Sequence, residues 1–416
     1  MSQHDEVGTT TDQGWAHFTP HLPEVIDDPY PAFRWLRRHA PAFHVESEDI
    51  WVLSRHADVQ AAARDFATFS QLEGVGYSRN YGGLGLTSLD PPHHTEMRRL
   101  TAPLFSPRAV KQHRAQAVAV LDRLLDEVFA TSTPVNVADV VANPYLSTIV
   151  GDLMGLPEPD RGLVKDGATA GSLMMAGDFD PEVVAMAQRF SAYFVGFVRQ
   201  RGEALDRGEC PAGPFSNIIF ETCPSGYEPT FDERVTYETL LATGGNETTA
   251  QLLSNLVILL AEQPEILERL RAEPQLRPSA VEEVLRYISP VTGLFRHTTR
   301  AVPIAGAHRE IPAGAKVLLM YGSANHDEAH YDRADEFVID RYPRGFADAD
   351  HLSFTIGIHV CLGAHLAREM IDVFLERFAA RVGRITITGP VQRSHNALVR
   401  VIDELPARLE PRASVV

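Results

Sequence analysis

Cys361 stands in the run Phe354-Thr-Ile-Gly357-Ile-His359-Val-Cys361-Leu-Gly363, and an Ala/Leu-rich segment, Ala364 to Ala380, follows at once. Small residues let a flat ligand approach the backbone, and a helix N-terminus favours sulfur as its anion. The pattern describes a thiolate held out on a loop for a metal. Other chemistry uses the same residues. A lone cysteine is commonly a small buried hydrophobe. His359-x-Cys361 offers two zinc ligands, but structural zinc needs four and no second pair is near. A Cys-His nucleophile is admissible with distant partners, yet nothing nearby orders a third group for it.

A second chemical run is Gly244-Gly245-Asn246-Glu247-Thr248-Thr249. It lies in the middle of a segment otherwise rich in leucine, where two glycines cost roughly 1 kcal/mol each relative to alanine. A carboxylate and hydroxyls at the centre of a buried helix are locally inconsistent, and such inconsistency points to a site. Glycine clears space for a ligand against the helix, and Thr248 can bond back to an earlier carbonyl. The bland alternative is a glycine-mediated helix crossing with Glu247 in a salt bridge. Two further sets carry charge. Glu283-Val-Leu-Arg286 puts acid and base on one helical face, which for a surface pair is worth under about 1 kcal/mol. Asp90-Pro-Pro-His-His94-Thr-Glu-Met-Arg98 puts His94 and Arg98 one turn apart.

Helical signals must position most of these groups. Thr230-x-x-Glu233 is a capping box and opens a helix over Phe231 to Glu262, closed before Pro264. At ~1.5 Å per residue it spans nearly ~50 Å. Leucines around much of its circumference send it through the interior. Ser106-Pro107 caps a helix running through Val110 to Phe129, and Pro181 to Arg201 and Glu265 to Arg271 read as helices too. Strand-like segments are few: Ile50 to Ser54, Thr298 to Ile304, Lys316 to Tyr321, Ile385 to Thr388 and Leu398 to Ile402. No repeat or long linker divides the chain. The reading is mainly α with a small β-region (α+β): a frayed tail over 1–20 and one catalytic domain over 21–416.

Composition narrows the partners. A formal charge of −17 argues against nucleic acid. One basic stretch, Arg98, Arg99, Arg108, Lys111 and Arg114, is a candidate docking face or a solvated helix surface. Three cysteines make no disulfide framework, which fits a reducing cytosol and a cytoplasmic protein. No apolar run reaches the ~18 residues of a membrane span, and the polar start reads as neither signal peptide nor anchor.

The Cys361 loop resembles the haem-binding signature of the cytochromes P-450, with Gly363 closing it. The resemblance covers about Asp28 to Pro406. It implies the family's fold, with the long central helix crossing the haem, and heme b (iron protoporphyrin IX) with Cys361 as axial iron ligand. In the same family the central run resembles an oxygen-binding groove, with Glu247 as acid and Thr248 as alcohol delivering protons. His94, Arg98, Arg296 and His359 take the places of haem propionate partners. Glu283, Arg286 and Arg341 take those of a network bracing the ligand loop. The pocket is expected from the loop after Phe69, Met174, Gly244, Gly245, Val291, Leu294 and Ala397. Thr355 departs from the family's glycine after the phenylalanine, which predicts a strained backbone or altered bonds to sulfur.

What the resemblance implies is a bacterial soluble-class monooxygenase that uses O2 on a hydrophobic lipid, steroid, terpenoid or polyketide-like molecule, by hydroxylation or epoxidation. It carries no ferredoxin-like cysteine set or dinucleotide fingerprint. Electrons must then come from a separate ferredoxin and NAD(P)H-dependent ferredoxin reductase, to a protein expected to be monomeric. A peroxide-driven peroxygenase or a haem-thiolate sensor would dispense with Glu247 and Thr248. A hydrolase based on Cys361 would be colourless.

Overall fold

The structure is a computed structural model that describes residues 14–78, 85–131, 133–223, 225–307 and 309–413. Its axis is the helix Phe231–Glu262. The capping box forms as the sequence predicts: Glu233 N donates to Thr230 Oγ1 at 3.3 Å, and Thr230 N donates to Glu233 Oε2 at 2.8 Å. Leu252, Leu253, Leu256, Val257 and Leu260 are buried in one large core. That core also takes in the helices Arg114–Phe129, Asn143–Met154, Arg277–Ile288 and Ala364–Arg381. The central helix also packs against Arg161–Met175 and Pro181–Asp206.

The largest sheet has five strands: β1 (Ala42–Val45), β2 (Ile50–Leu53), β3 (Phe69–Ser70), β5 (Leu294–Thr298) and β6 (Lys316–Leu319), in the order β1-β2-β6-β5-β3. Ile50, Val52 and Leu53 on β2 and Val317 and Leu319 on β6 are buried, and the two strands run parallel with Trp51 opposite Val317. Such doubly covered strands read as continuous apolar runs. A second sheet joins β4 (Val135–Asn136), β10 (Pro406–Pro411) and β7 (Val382–Ile387), and a third pairs β8 (Gln392–Arg393) with β9 (Ile402–Glu404).

Several boundaries differ from the sequence reading. The strand expected over 298–304 is displaced to Leu294–Thr298, so Arg296 lies within it. Only Val302 of the expected remainder forms a bridge, to Ile311, before the turn at Gly306. The strand expected over 398–402 begins at Ile402, while Val399 makes a lone bridge to Val291. The helix expected to continue from Val110 is interrupted at Gln112 and His113. Residues 1–13 lie outside the described residues. The rest of the expected frayed tail is packed: Phe18 is 1% exposed and meets Phe43 edge-on.

Candidate functional site

The loop carrying Cys361 leaves the core at buried His351 and Leu352 and re-enters it through Ala364–Arg381. Cys361 N donates to Phe354 O at 2.9 Å, closing the loop on itself. Gly357 sits at φ +82°, where a Cβ would lie 3.1 Å from Ala63 O, so only glycine fits. Thr355 takes φ +51°, a left-handed backbone unfavourable for a β-branched residue, and its buried Oγ1 has no partner among the described residues. This is the strain the missing glycine predicts.

Cys361 is accessible, yet its surroundings are dense enough that burial pushes its thiol up. The Gly363 N–H, Arg98 and Arg368 oppose that rise without overcoming it. The expectation that a helix terminus alone favours the anion is therefore corrected: a bound metal cation must complete the deprotonation. Gly363 has an ordinary φ of −80°. A Cβ built there would meet only Cys361 Sγ, at 4.0 Å. Nothing among the described residues demands glycine at 363, and its bare backbone leaves room for a flat ligand.

Basic groups gather beside this loop. His94, on the helix His93–Thr101, meets the His359 ring with centroids 4.6 Å apart. Burial, then His359 and Arg98, lower the His94 pKa to about 4, so it is a neutral hydrogen-bonding group. Its Nε2 is buried without a partner among the described residues. Arg296 is 1% exposed, and neither it nor Arg98 forms an ion pair among the described residues. Gln71, with its amide turned to satisfy both ends, accepts from Arg296 and donates to Thr87 O and the His359 ring. Asp90 lies 3.5 Å from His359 Nε2 and accepts from Ser70 Oγ at 2.6 Å. Burial raises the Asp90 carboxyl, but those two neighbours more than offset it and the net shift is down. A buried guanidinium lacking an anion is costly. Haem, with two carboxylates, fits this donor set.

The central helix brings its own groups near. Leu362, next to Cys361, packs in one cluster with Leu240 and Leu241 of that helix and Met97 of His93–Thr101. At Gly244 a Cβ would find nothing within 4 Å, so this turn of an otherwise buried helix borders open space. Thr248 Oγ1 donates back to Gly244 O at 2.9 Å. Gly245, expected in the pocket, instead packs against Val150, 3.3 Å from its would-be Cβ. Glu247 is 7% exposed and neither carboxylate oxygen has a partner among the described residues. Burial, then Asp403, raise its pKa to about 8. Among the described residues it makes no salt bridge, so the alternative of a paired Glu247 is not met.

The bracing residues converge. Arg286 and Glu283 are both fully buried and joined twice, at 2.7 and 2.8 Å, while Arg341 Nε reaches Glu283 at 2.9 Å. Arg286 also donates to the carbonyls of Asn325, Ala334 and Glu336. Asn325 carries the contact onward to Ser353 Oγ at 2.8 Å and Leu352 N at 2.7 Å. Ser353, Gln71 and the bracing role of Asn325 escaped the sequence reading, because none stands at a telling spacing from a charged partner. A second buried set, Glu282 with His351 and Arg368, holds the same loop.

Of the expected pocket residues, Val291 and Leu294 share a cluster with Ile356 of the Cys361 loop. Ala397 accepts from Thr292 Oγ1 at 2.9 Å. Asn396 reaches Ser172 at 3.1 Å, tying that turn to the helix whose last turn carries Met174. Part of the loop after Phe69, residues 79–84, lies outside the described residues. Among those basic residues expected to dock a partner, Arg114 is bound to Glu369, Asp372 and Glu376 and is not free to do so. Arg99, Arg108 and Lys111 remain exposed.

Known proteins place the chain in a family. The family described as Cytochrome P450 matches residues 172–381. "Beta-dihydromenaquinone-9 omega-hydroxylase" of Mycobacterium tuberculosis is 33% identical over 95% of this chain and 79% of its own length. "Cyclomarin C epoxidase CymV" of Salinispora arenicola is 33% identical over 86% of this chain and 90% of its own. The crystal structure of CYP109E1 from Bacillus megaterium with testosterone superposes at TM-score 0.81, with 27% identity, over 94% of this chain and 99% of that one. The chain belongs to the cytochrome P450 family. It is a monooxygenase of that family, whose cofactor is heme b held by a cysteine thiolate. No helix among the described residues is long and apolar enough to cross a membrane.

Proposed function

We propose that the enzyme inserts one oxygen atom from O2 into a bulky apolar molecule of lipid, steroid, terpenoid or polyketide type. A separate ferredoxin and ferredoxin reductase supply the electrons. The observation that carries the assignment of the site is the set of anion-seeking groups beside Cys361: among the described residues Arg98 and the buried Arg296 form no ion pair and His94 Nε2 has no partner. Haem supplies the redox and oxygen chemistry when bound. Cys361 ligates its iron, and His94, Arg98, Arg296 and His359 hold its carboxylates. Glu283, Arg286 and Arg341 fix the loop through Asn325. Thr248 holds a proton beside the space at Gly244, and Glu247 renews it. Val291, Leu294, Met174 and Ala397 contribute to the wall facing the substrate. The names of two relatives, a hydroxylase and an epoxidase, and a neighbour solved with testosterone support a large apolar guest and leave both oxidative outcomes open.

Cys361→Ser should abolish the red-shifted carbon monoxide complex of the reduced protein, while Cys210→Ser and Cys223→Ser keep it. Survival of that band in Cys361→Ser would overturn the ligand assignment. A screen of apolar ligands for the spectral shift caused by displacing iron-bound water then identifies the substrate class.

A further inference from the structure

A polar space lies on the flank of the central helix that carries Asn246, Glu247 and Gln251. This cavity, of about 270 Å³, is lined by Glu247, Ser147, Asp139, Lys165, Asp166 and Asp403 among others. These groups come from four places: the central helix, the helix Asn143–Met154 with the π-helical turn Ala138–Ala142 before it, the helix Arg161–Met175, and β9. The space is polar and roomy enough for several waters. It reaches the surface, because Lys165 Nζ and Asp139 Oδ1 pair at 3.2 Å with side chains 41% and 52% exposed. Glu247 also lines it, 93% buried by its 7% exposure, with neither oxygen partnered among the described residues.

We propose that this cavity is the proton supply line of the oxygenase site, with Asp403 as its entry carboxylate and Glu247 as its inner one. The inference rests on Glu247 being the acid of the proposed function. Asp403 is exposed to solvent, and Ser394 Oγ lies 2.6 and 2.7 Å from its two oxygens, so its position is fixed. A proton leaves the Asp403 carboxyl for a cavity water, and that water gives a proton to the Glu247 carboxylate. One O–H bond breaks at Asp403 and one forms at Glu247, and bulk water recharges Asp403. No electron moves. Burial drives the transfer: once Glu247 has given its proton inward, its bare carboxylate is unfavourable in apolar surroundings. No hydrogen bond among the described residues pins the Glu247 carboxyl, and Gly244 leaves no side chain in its way, so it can turn from the cavity toward Thr248. The remaining charges facing it are Asp139, Asp166 and Lys165. The Lys165–Asp139 pair stands at the mouth and orders water there.

Two measurements on the full-length protein test this. Infrared titration should show a buried carboxylic acid band lost with a midpoint near about 8. The band should be absent in Glu247→Gln and its midpoint lowered in Asp403→Asn, which removes a repelling charge. In turnover with a surrogate ferredoxin system, Asp403→Asn and the cavity-filling Ser147→Leu should raise peroxide release several-fold and enlarge the solvent isotope effect. Their substrate-induced and carbon monoxide spectra should stay as in the parent. If Glu247→Gln uncouples turnover while Asp403→Asn and Ser147→Leu remain coupled with an unchanged isotope effect, the supply line is wrong and the role of Glu247 stands. If Glu247→Gln itself stays coupled, the acid assignment fails and the supply line with it.

Discussion

Thr355 holds φ +51° in the loop that presents Cys361, and its buried hydroxyl has no partner among the described residues. A left-handed backbone costs a non-glycine residue roughly 1–2 kcal/mol, and such strain persists only where surrounding contacts dictate it. Here Thr355 N donates to Leu352 O at 2.8 Å and Phe354 O accepts from Cys361 N, so both neighbours are fixed. Glycine would relieve the strain but loses roughly 0.5–1 kcal/mol through the entropy of the unfolded chain. Thr355→Gly should therefore leave unfolding free energy equal or raise it by up to about 1 kcal/mol, with Thr355→Asn between the two. Thermal melting with haem retained checks this. A loss beyond about 1 kcal/mol would show that packing of the threonine methyl outweighs its backbone.

At the scale of elements, the central helix was legible to the residue because its signals are local: a capping box, leucines all round, and Pro264 after its end. β5 was not. Its inward residues include Arg296 and His297, which are buried for reasons a strand pattern does not carry. β10 hid behind prolines at both ends, which mark edges and interruptions more often than strands. Spacing placed His94 and Arg98 together, but the bond from Arg296 to Gln71 depends on how β3 and β5 pair across the whole chain. The helix also separates two adjacent hydroxyls. Thr248 Oγ1 donates to Gly244 O beside open space, whereas Thr249, about 100° further round, is 8% exposed and packed. Thr248 can accept a hydrogen bond without losing that one and must break it to donate elsewhere. Thr248→Ala should keep haem and substrate binding yet divert electrons to hydrogen peroxide, with Thr248→Ser largely restoring coupling and Thr249→Ala changing it much less. Full coupling in Thr248→Ala, from product, peroxide and NAD(P)H measured together, would remove the hydroxyl from the reaction.

Over the whole molecule, a charge of −17 sets the background against which a small basic area is felt. Arg99 lies 3.6 Å from Glu96, and Arg108 and Lys111 are exposed on the short helix Pro107–Lys111. That helix packs against the helix that follows Cys361, so charge placed there is near the proximal side of the proposed haem site. An acidic electron carrier is repelled by the rest of the surface and attracted here, which orients its encounter. Exposed charges are screened over roughly 10 Å at about 0.1 M salt. The rate of reduction by an acidic ferredoxin should fall as salt rises. Arg108→Glu and Lys111→Glu should slow it at low salt and converge with the parent at high salt, with substrate binding unchanged. Arg114→Glu belongs to a different class: it would set a fourth acid against Glu369, Asp372 and Glu376 and lower stability instead. Stopped-flow reduction across ionic strengths separates the two effects, and rates indifferent to salt in the parent and both docking variants would move the docking face elsewhere.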